Sequence, residues 1–138
     1  MPVEYGSFLE LASESLEEQK SREADLRNCI SKSYYFMYHS AFRLTNGKVG
    51  KIDSEGNAFA GGVHKKFYSY LSDNAAEKHG LNKAQTVKVG LLLKQNHALR
   101  ITADYNLSQT LNRPTAEMAI QRSIDTDRLI EQLLETRQ

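Results

Sequence analysis

Apolar residues recur at every third or fourth position through most of this chain, and no stretch shows the strict alternation that a half-buried strand requires. Only 2 prolines interrupt that rhythm in 138 residues, so long regular elements are permitted. The pattern predicts an all-α protein: an antiparallel up-and-down bundle of four to five helices, forming a single domain over residues 1–138. A compact fold of this size buries roughly two thirds of the surface of its extended chain, which is enough for one core.

The helix limits follow from caps and breakers. Ser7 and Glu10 have capping-box spacing, so a first helix is expected from Ser7 to about Gln19, with Phe8, Ala12 and Leu16 inward and a polar turn over Gln19–Glu23. A second is expected from about Ala24 to Leu44. Its stripe is Leu26, Ile30, Ser33 or Tyr34, Met37, Ala41 and Leu44, with Tyr35, Tyr38 and Phe42 widening the flank. Residues Thr45 to Gly62 hold five of the eight glycines and read as a long mobile loop. A third helix is expected over Val63–Lys78, closed by Gly80 as a left-handed cap. Asn82 and Gln85 have cap spacing for a fourth, reaching Tyr105. The last begins at Pro114, which a first turn tolerates, and buries Ile120, Ile124, Ile130, Leu133 and Leu134.

Composition excludes several functions. The charges nearly cancel, 18 Lys and Arg against 17 Asp and Glu, which argues against strong sequence-blind binding to nucleic acid while leaving room for a local basic site. No apolar run approaches the roughly 20 residues that span a bilayer, and the N-terminus has neither the basic nor the apolar segment of a signal peptide. The one cysteine, Cys29, lies in a patterned apolar run without an activating neighbour. A cytoplasmic protein with no membrane association is expected. The glycines before His64 lack the ending of a P-loop, no serine elbow is present, and the four histidines have no metal-ligand spacing. Neither a metal nor a cofactor is expected.

Chemistry concentrates on the fourth helix, read as a largely buried one. Val87, Leu91, Ala98, Ile101 and Tyr105 form one apolar row, and Val89, Leu92, Leu99 and Ala103 form another. His97, Arg100 and Asp104 share a third face, at steps of three and four. The fork of Arg100 suits a phosphate or carboxylate, Asp104 orients it, and His97 moves protons near neutral pH. The plain alternative is an ion pair on a solvated strip. On the second helix, Tyr35 with Arg27, Lys32 and His39 offers an aromatic and cationic flank able to stack a base and meet a phosphate, although tyrosines so placed also serve simply as packing. His64, Lys65 and Lys66 open the third helix, where free backbone N–H groups favour an anion.

Three segments carry a family resemblance: SKSYYFMYHSAFRL from Ser31 to Leu44, GGVHKKF from Gly61 to Phe67, and ALRITADY from Ala98 to Tyr105. In their order and spacing they resemble the small helical HEPN domains, over roughly Phe8 to Leu134. The resemblance implies a helical bundle, commonly a homodimer, often encoded beside a minimal nucleotidyltransferase in toxin–antitoxin or defence modules. It further implies, for many members, a metal-independent endoribonuclease whose signature is an Arg, about four to six intervening residues, then a His. Arg100 matches that arginine. Tyr105, Asn106 and Leu107 stand where the histidine belongs. A phenol with a reference pKa near 10 is a poor base at neutral pH, though it donates a hydrogen bond to a phosphate oxygen. The expectation is therefore binding of RNA, a nucleotide or a nucleotidyltransferase partner, centred on Arg100. Cleavage with a histidine from elsewhere (His97, His39 or His64) and a purely structural adaptor are the alternatives.

Overall fold

The computed structural model describes residues 4–17 and 22–137. Among the described residues there are six helices: α1 (Gly6–Glu14), α2 (Glu23–Thr45), α3 (Val63–Asp73), α4 (Ala75–His79), α5 (Lys83–Tyr105) and α6 (Arg113–Glu135). Among the described residues the remaining regular pairing is one isolated antiparallel bridge, Ile52 with Ala58.

The central element is α2, which packs against α6, α5 and α1, while α3 packs against α5. Its expected stripe is buried throughout, Leu26, Ile30, Tyr34, Met37, Ala41 and Leu44 each at 6% exposure or less. One half of the core joins Tyr34, Met37 and Leu44 to Phe67, Leu71, Val89, Leu93, Ile130 and Leu133. The other gathers Ala12, Leu26, Cys29, Ile30, Ala103, Ala116 and Ala119. Small residues in the second half let α1, α2 and α6 approach closely.

Several limits differ from expectation. The first helix begins after Tyr5, has no side-chain cap, and ends at Glu14, so the Ser7–Glu10 box does not form. Most of the expected Gln19–Glu23 turn lies outside the described residues. The expected third helix is two, because Asn74 leaves helical dihedrals at φ −121° and ψ 5°. There Asn74 Nδ2 donates to the Ile52 carbonyl, and both carboxylate oxygens of Asp73 accept from Ser54, the backbone N–H at 2.7 Å and Oγ at 2.8 Å. The helix breaks where its polar groups turn to hold the preceding loop. That loop, 46–62, has a tight turn in which Asp53 Oδ1 accepts from the N–H of Glu55 and Asn57, and Gly56 supplies a φ of 88°.

The expected caps at Gly80 and Asn82 form, and Asn112 adds one beyond those expected. Gly80 adopts φ 67° after α4, Asn82 accepts from the Gln85 N–H, and Asn112 accepts from the Thr115 N–H beside Pro114. The end of α5 has a cap from outside the helix. Arg27 Nη1 donates to the carbonyls of Thr102, Ala103 and Asn106 at 3.1, 3.0 and 3.2 Å, while Nε and Nη2 hold Glu23. Arg27 thus ties α2 to the last turn of α5, and its fork is occupied rather than open to a phosphate.

The largest correction concerns α5. Of its two apolar rows, one has Val89 and Ala103 buried with Leu92 and Leu99 partly so; in the other, Leu91, Ile101 and Tyr105 are exposed at 50%, 39% and 68%. The helix lies on α2, α3 and α6 and leaves this flank in solvent.

Candidate functional site

Three helices bring the singled-out residues together. From α5, His97, Arg100 and Asp104 project along one face, as a 3.6-residue repeat dictates for these steps. From α2 come the successive residues Tyr34 and Tyr35, and from the first turn of α3 comes His64.

The centre is a pair of imidazoles. The rings of His64 and His97 stack with centroids 5.2 Å apart and planes 30° from parallel. Tyr34 lies against both, at 5.3 and 5.4 Å, and Tyr38 approaches His64 to 4.7 Å. The Tyr34 hydroxyl is 2.7 Å from His64 Nδ1, and the residue is 1% exposed. Burial pushes this phenol well above the usual range, so it stays protonated. Its proton has one acceptor among the described residues, His64 Nδ1. That pattern assigns His64 the Nε2–H tautomer and leaves its outer nitrogen a donor.

Beside the pair stands Arg100. Its Nη2 donates to the Tyr35 hydroxyl at 2.7 Å, and its guanidinium lies 5.2 Å from the Tyr35 ring and 5.5 Å from that of Tyr105. Nε is 2.8 Å from Asp104 Oδ2, but its N–H is not aimed at that oxygen, so the pair is an ion contact rather than a hydrogen bond. Ser31 Oγ donates to the same carboxylate oxygen at 3.3 Å. At 11% and 28% side-chain exposure the ion pair is largely shielded, and Arg100 is held in one orientation from two sides.

Electrostatics follow from this packing. Burial, and then the neighbouring charges of His97, Arg100 and His39, hold the proton affinity of His64 below its ordinary range. Burial and Arg100 do the same for His97. Both rings are neutral at pH 7. The arrangement offers a fixed cation, a neutral N–H donor and a neutral imidazole, a set suited to a phosphate group and to proton transfer beside it.

Of the other candidates, His39 and Lys65 lie apart, while Tyr105 borders Arg100. His39 stacks on Phe8 at 5.4 Å, in the contact between α1 and α2, and burial lowers its proton affinity. Lys65 is exposed, its aliphatic stem packed over Gly61. Tyr105 stands at the exposed end of α5. Sequence reasoning missed two contributors. Tyr34 reads as core from its place in the stripe, yet its hydroxyl sets the His64 tautomer. Tyr68 lies 5.9 Å from His97, and its spacing of four from His64 on one helix was the available signal.

Among the described residues no group of three or more His, Cys, Asp or Glu is placed to hold a metal ion, and none of the helices is long and apolar enough to cross a membrane. Burial pushes the Cys29 thiol up to about 11, which leaves it unreactive. Comparison with protein-family models, with curated proteins and with solved structures finds no match to this chain.

Proposed function

We propose that this chain is a HEPN-like helical protein that binds a phosphate group of RNA or of a nucleotide at Arg100, His64 and His97. The observation that carries the reading is the convergence, from three helices, of an oriented guanidinium with two stacked imidazoles. Arg100 supplies the charge, His64 Nε2–H a directional donor, and the tyrosine wall a dry surround in which such hydrogen bonds are stronger than in water. Tyr105 and Asp104 act at the edge, Tyr105 as a further donor and Asp104 by orienting the arginine. The reading extends to an antiparallel up-and-down arrangement of the long helices and to a cytoplasmic toxin–antitoxin or defence-type setting. It also includes a homodimer and a minimal nucleotidyltransferase as partner. The exposed row Leu91, Ile101 and Tyr105 with nearby Leu107 supports an interface of that kind.

A second reading, metal-independent RNA cleavage, is favoured by the presence of two imidazoles rather than one. His97 would take the proton of a 2′-hydroxyl as its oxygen attacks the adjacent phosphorus. The bond to the 5′-oxygen then breaks, and that oxygen receives a proton from protonated His64, with Arg100 neutralising the charge that builds on phosphorus. One ring must be charged and the other neutral, and both titrate below their ordinary value of 6.5 in the free protein, so the cleavage rate at sub-saturating RNA should peak on the acid side of pH 6.5.

The test incubates purified protein with single-stranded and transfer RNAs in a chelator, measuring both retention and chain length. Binding that falls about tenfold or more in Arg100→Ala supports the first reading. Products ending in a 2′,3′-cyclic phosphate, absent with Arg100→Ala, establish the second; intact RNA at every pH sinks it. No retention of any RNA or nucleotide sinks both.

A further inference from the structure

Phe59 lines two clefts. One, between the 46–62 loop, α3 and α5, is lined by Asp53, Tyr68, Asp73 and Lys94 together with Phe59. The other is lined by Lys51 and Lys66, again with Phe59. The loop that carries Phe59 is held in place by the two Ser54–Asp73 hydrogen bonds and by the bond from Asn74 to the Ile52 carbonyl. Phe59 N–H donates to the Lys51 carbonyl, and its ring meets Tyr70 edge-on at 6.0 Å. These walls are therefore preformed. Tyr68 borders both the first cleft and the imidazole pair, and Lys94 stands one helical turn before His97 on α5. Basic and aromatic side chains both line this path, Lys51 and Lys66 first, then Phe59 and Tyr68, and Lys94 where it reaches His97.

We infer that this path is a track for single-stranded RNA, with a nucleobase lying on Tyr68 next to the phosphate held at Arg100, His64 and His97. The inference rests on the phosphate reading of that cluster. Chemistry decides which part of a nucleotide enters the cleft. Two carboxylates, Asp53 and Asp73, line it and repel phosphate, while an aromatic wall attracts the face of any base. Phosphates belong on the lysines that flank it. A net charge of +1 keeps sequence-blind backbone attraction weak, so stacking carries a large share of the affinity.

The experiment compares, by fluorescence anisotropy in a chelator, a labelled short single-stranded RNA with an abasic strand of the same length. The abasic strand should bind about tenfold more weakly. Tyr68→Leu should reduce that difference severalfold and Tyr68→Phe keep it, with circular dichroism confirming the fold of each. Lys94→Gln, at an exposed position, should weaken both strands and reduce the slope of log affinity against log salt by about 0.7 for each phosphate no longer neutralised. Should Tyr68→Leu fail to fold, the abasic comparison and the Lys94→Gln slope decide. Equal binding of RNA and abasic strand overturns the track, as does a folded Tyr68→Leu protein that discriminates as fully as the wild type. Imidazole NMR shifts of His64 and His97 on adding inorganic phosphate separate the two ideas. If they move while base content is immaterial, the phosphate site stands and the track falls; if neither responds, both fall.

Discussion

A single proton orders the centre of the site. The Tyr34 hydroxyl has His64 Nδ1 as its acceptor, and a buried donor without a partner costs on the order of 1–3 kcal/mol, so the neutral ring is fixed with hydrogen on Nε2. Nitrogen-15 spectra at pH 7.5 should show His64 as the Nε2–H tautomer, and Tyr34→Phe should mix the tautomers. The same change should lower stability by about 1 kcal/mol in denaturant melts. A wild-type ring protonated on Nδ1 contradicts the assignment. The three polar residues on α5 were legible because their steps of three and four put them on one face whatever surrounds them. That His64 would meet His97 was not, since the two sit on different helices and no local pattern encodes the contact. The same holds for Arg27: its ion pair with Glu23 has helical spacing, but its reach to the carbonyls of Thr102, Ala103 and Asn106 depends on where α5 ends in space.

At the scale of elements, the crossing of α3 and α5 sets the distance between the imidazoles. It is close because Gly90 has no side chain: a Cβ there would lie 2.5 Å from Ser72 Oγ and 2.9 Å from the backbone oxygen of Tyr68. Gly90→Ala should cost about 1–3 kcal/mol by overpacking and separate α3 from α5, weakening RNA binding in protein that still folds. Unchanged melting and binding would show the crossing to be slack. At the far end of α5, Arg27→Ala should cost about 1.5–3 kcal/mol, since it removes charge-assisted bonds to the last carbonyls, and hydrogen exchange should quicken in the final turn. Helix existence was readable along the chain because periodicity and caps such as Asn82 act locally. The split at Asn74 escaped, because it answers to a loop that donates to Asp73. The exposed flank of α5 escaped as well: two apolar rows have equal periodicity, and only the positions of α2, α3 and α6 decide which is covered.

For the whole molecule, the four histidines give a common pH response. His39, His64, His79 and His97 each have burial as the main cause of a proton affinity below the ordinary 6.5. The unfolded chain then takes up protons first as the pH falls. Stability is complete above 6.5 and is lost below it, down through the depressed values of the folded protein. Melting temperature should be flat from pH 8 to about 6.5 and then decline; a rise below 6.5 would contradict that sign. Ligand binding should move the other way, because a charged imidazole attracts phosphate and a bound phosphate raises imidazole proton affinity.

Those opposing trends meet in one measurement, the imidazole proton resonances of the whole protein, followed against pH with and without a short single-stranded RNA in the presence of a chelator. Binding at Arg100, His64 and His97 predicts that the RNA shifts the His64 and His97 resonances and raises their midpoints toward or above 6.5. His79, which is hydrogen-bonded to Tyr70, should respond much less, and Arg100→Ala should abolish the response of His64 and His97. RNA that binds while His64 and His97 respond no more than His79 would contradict the account.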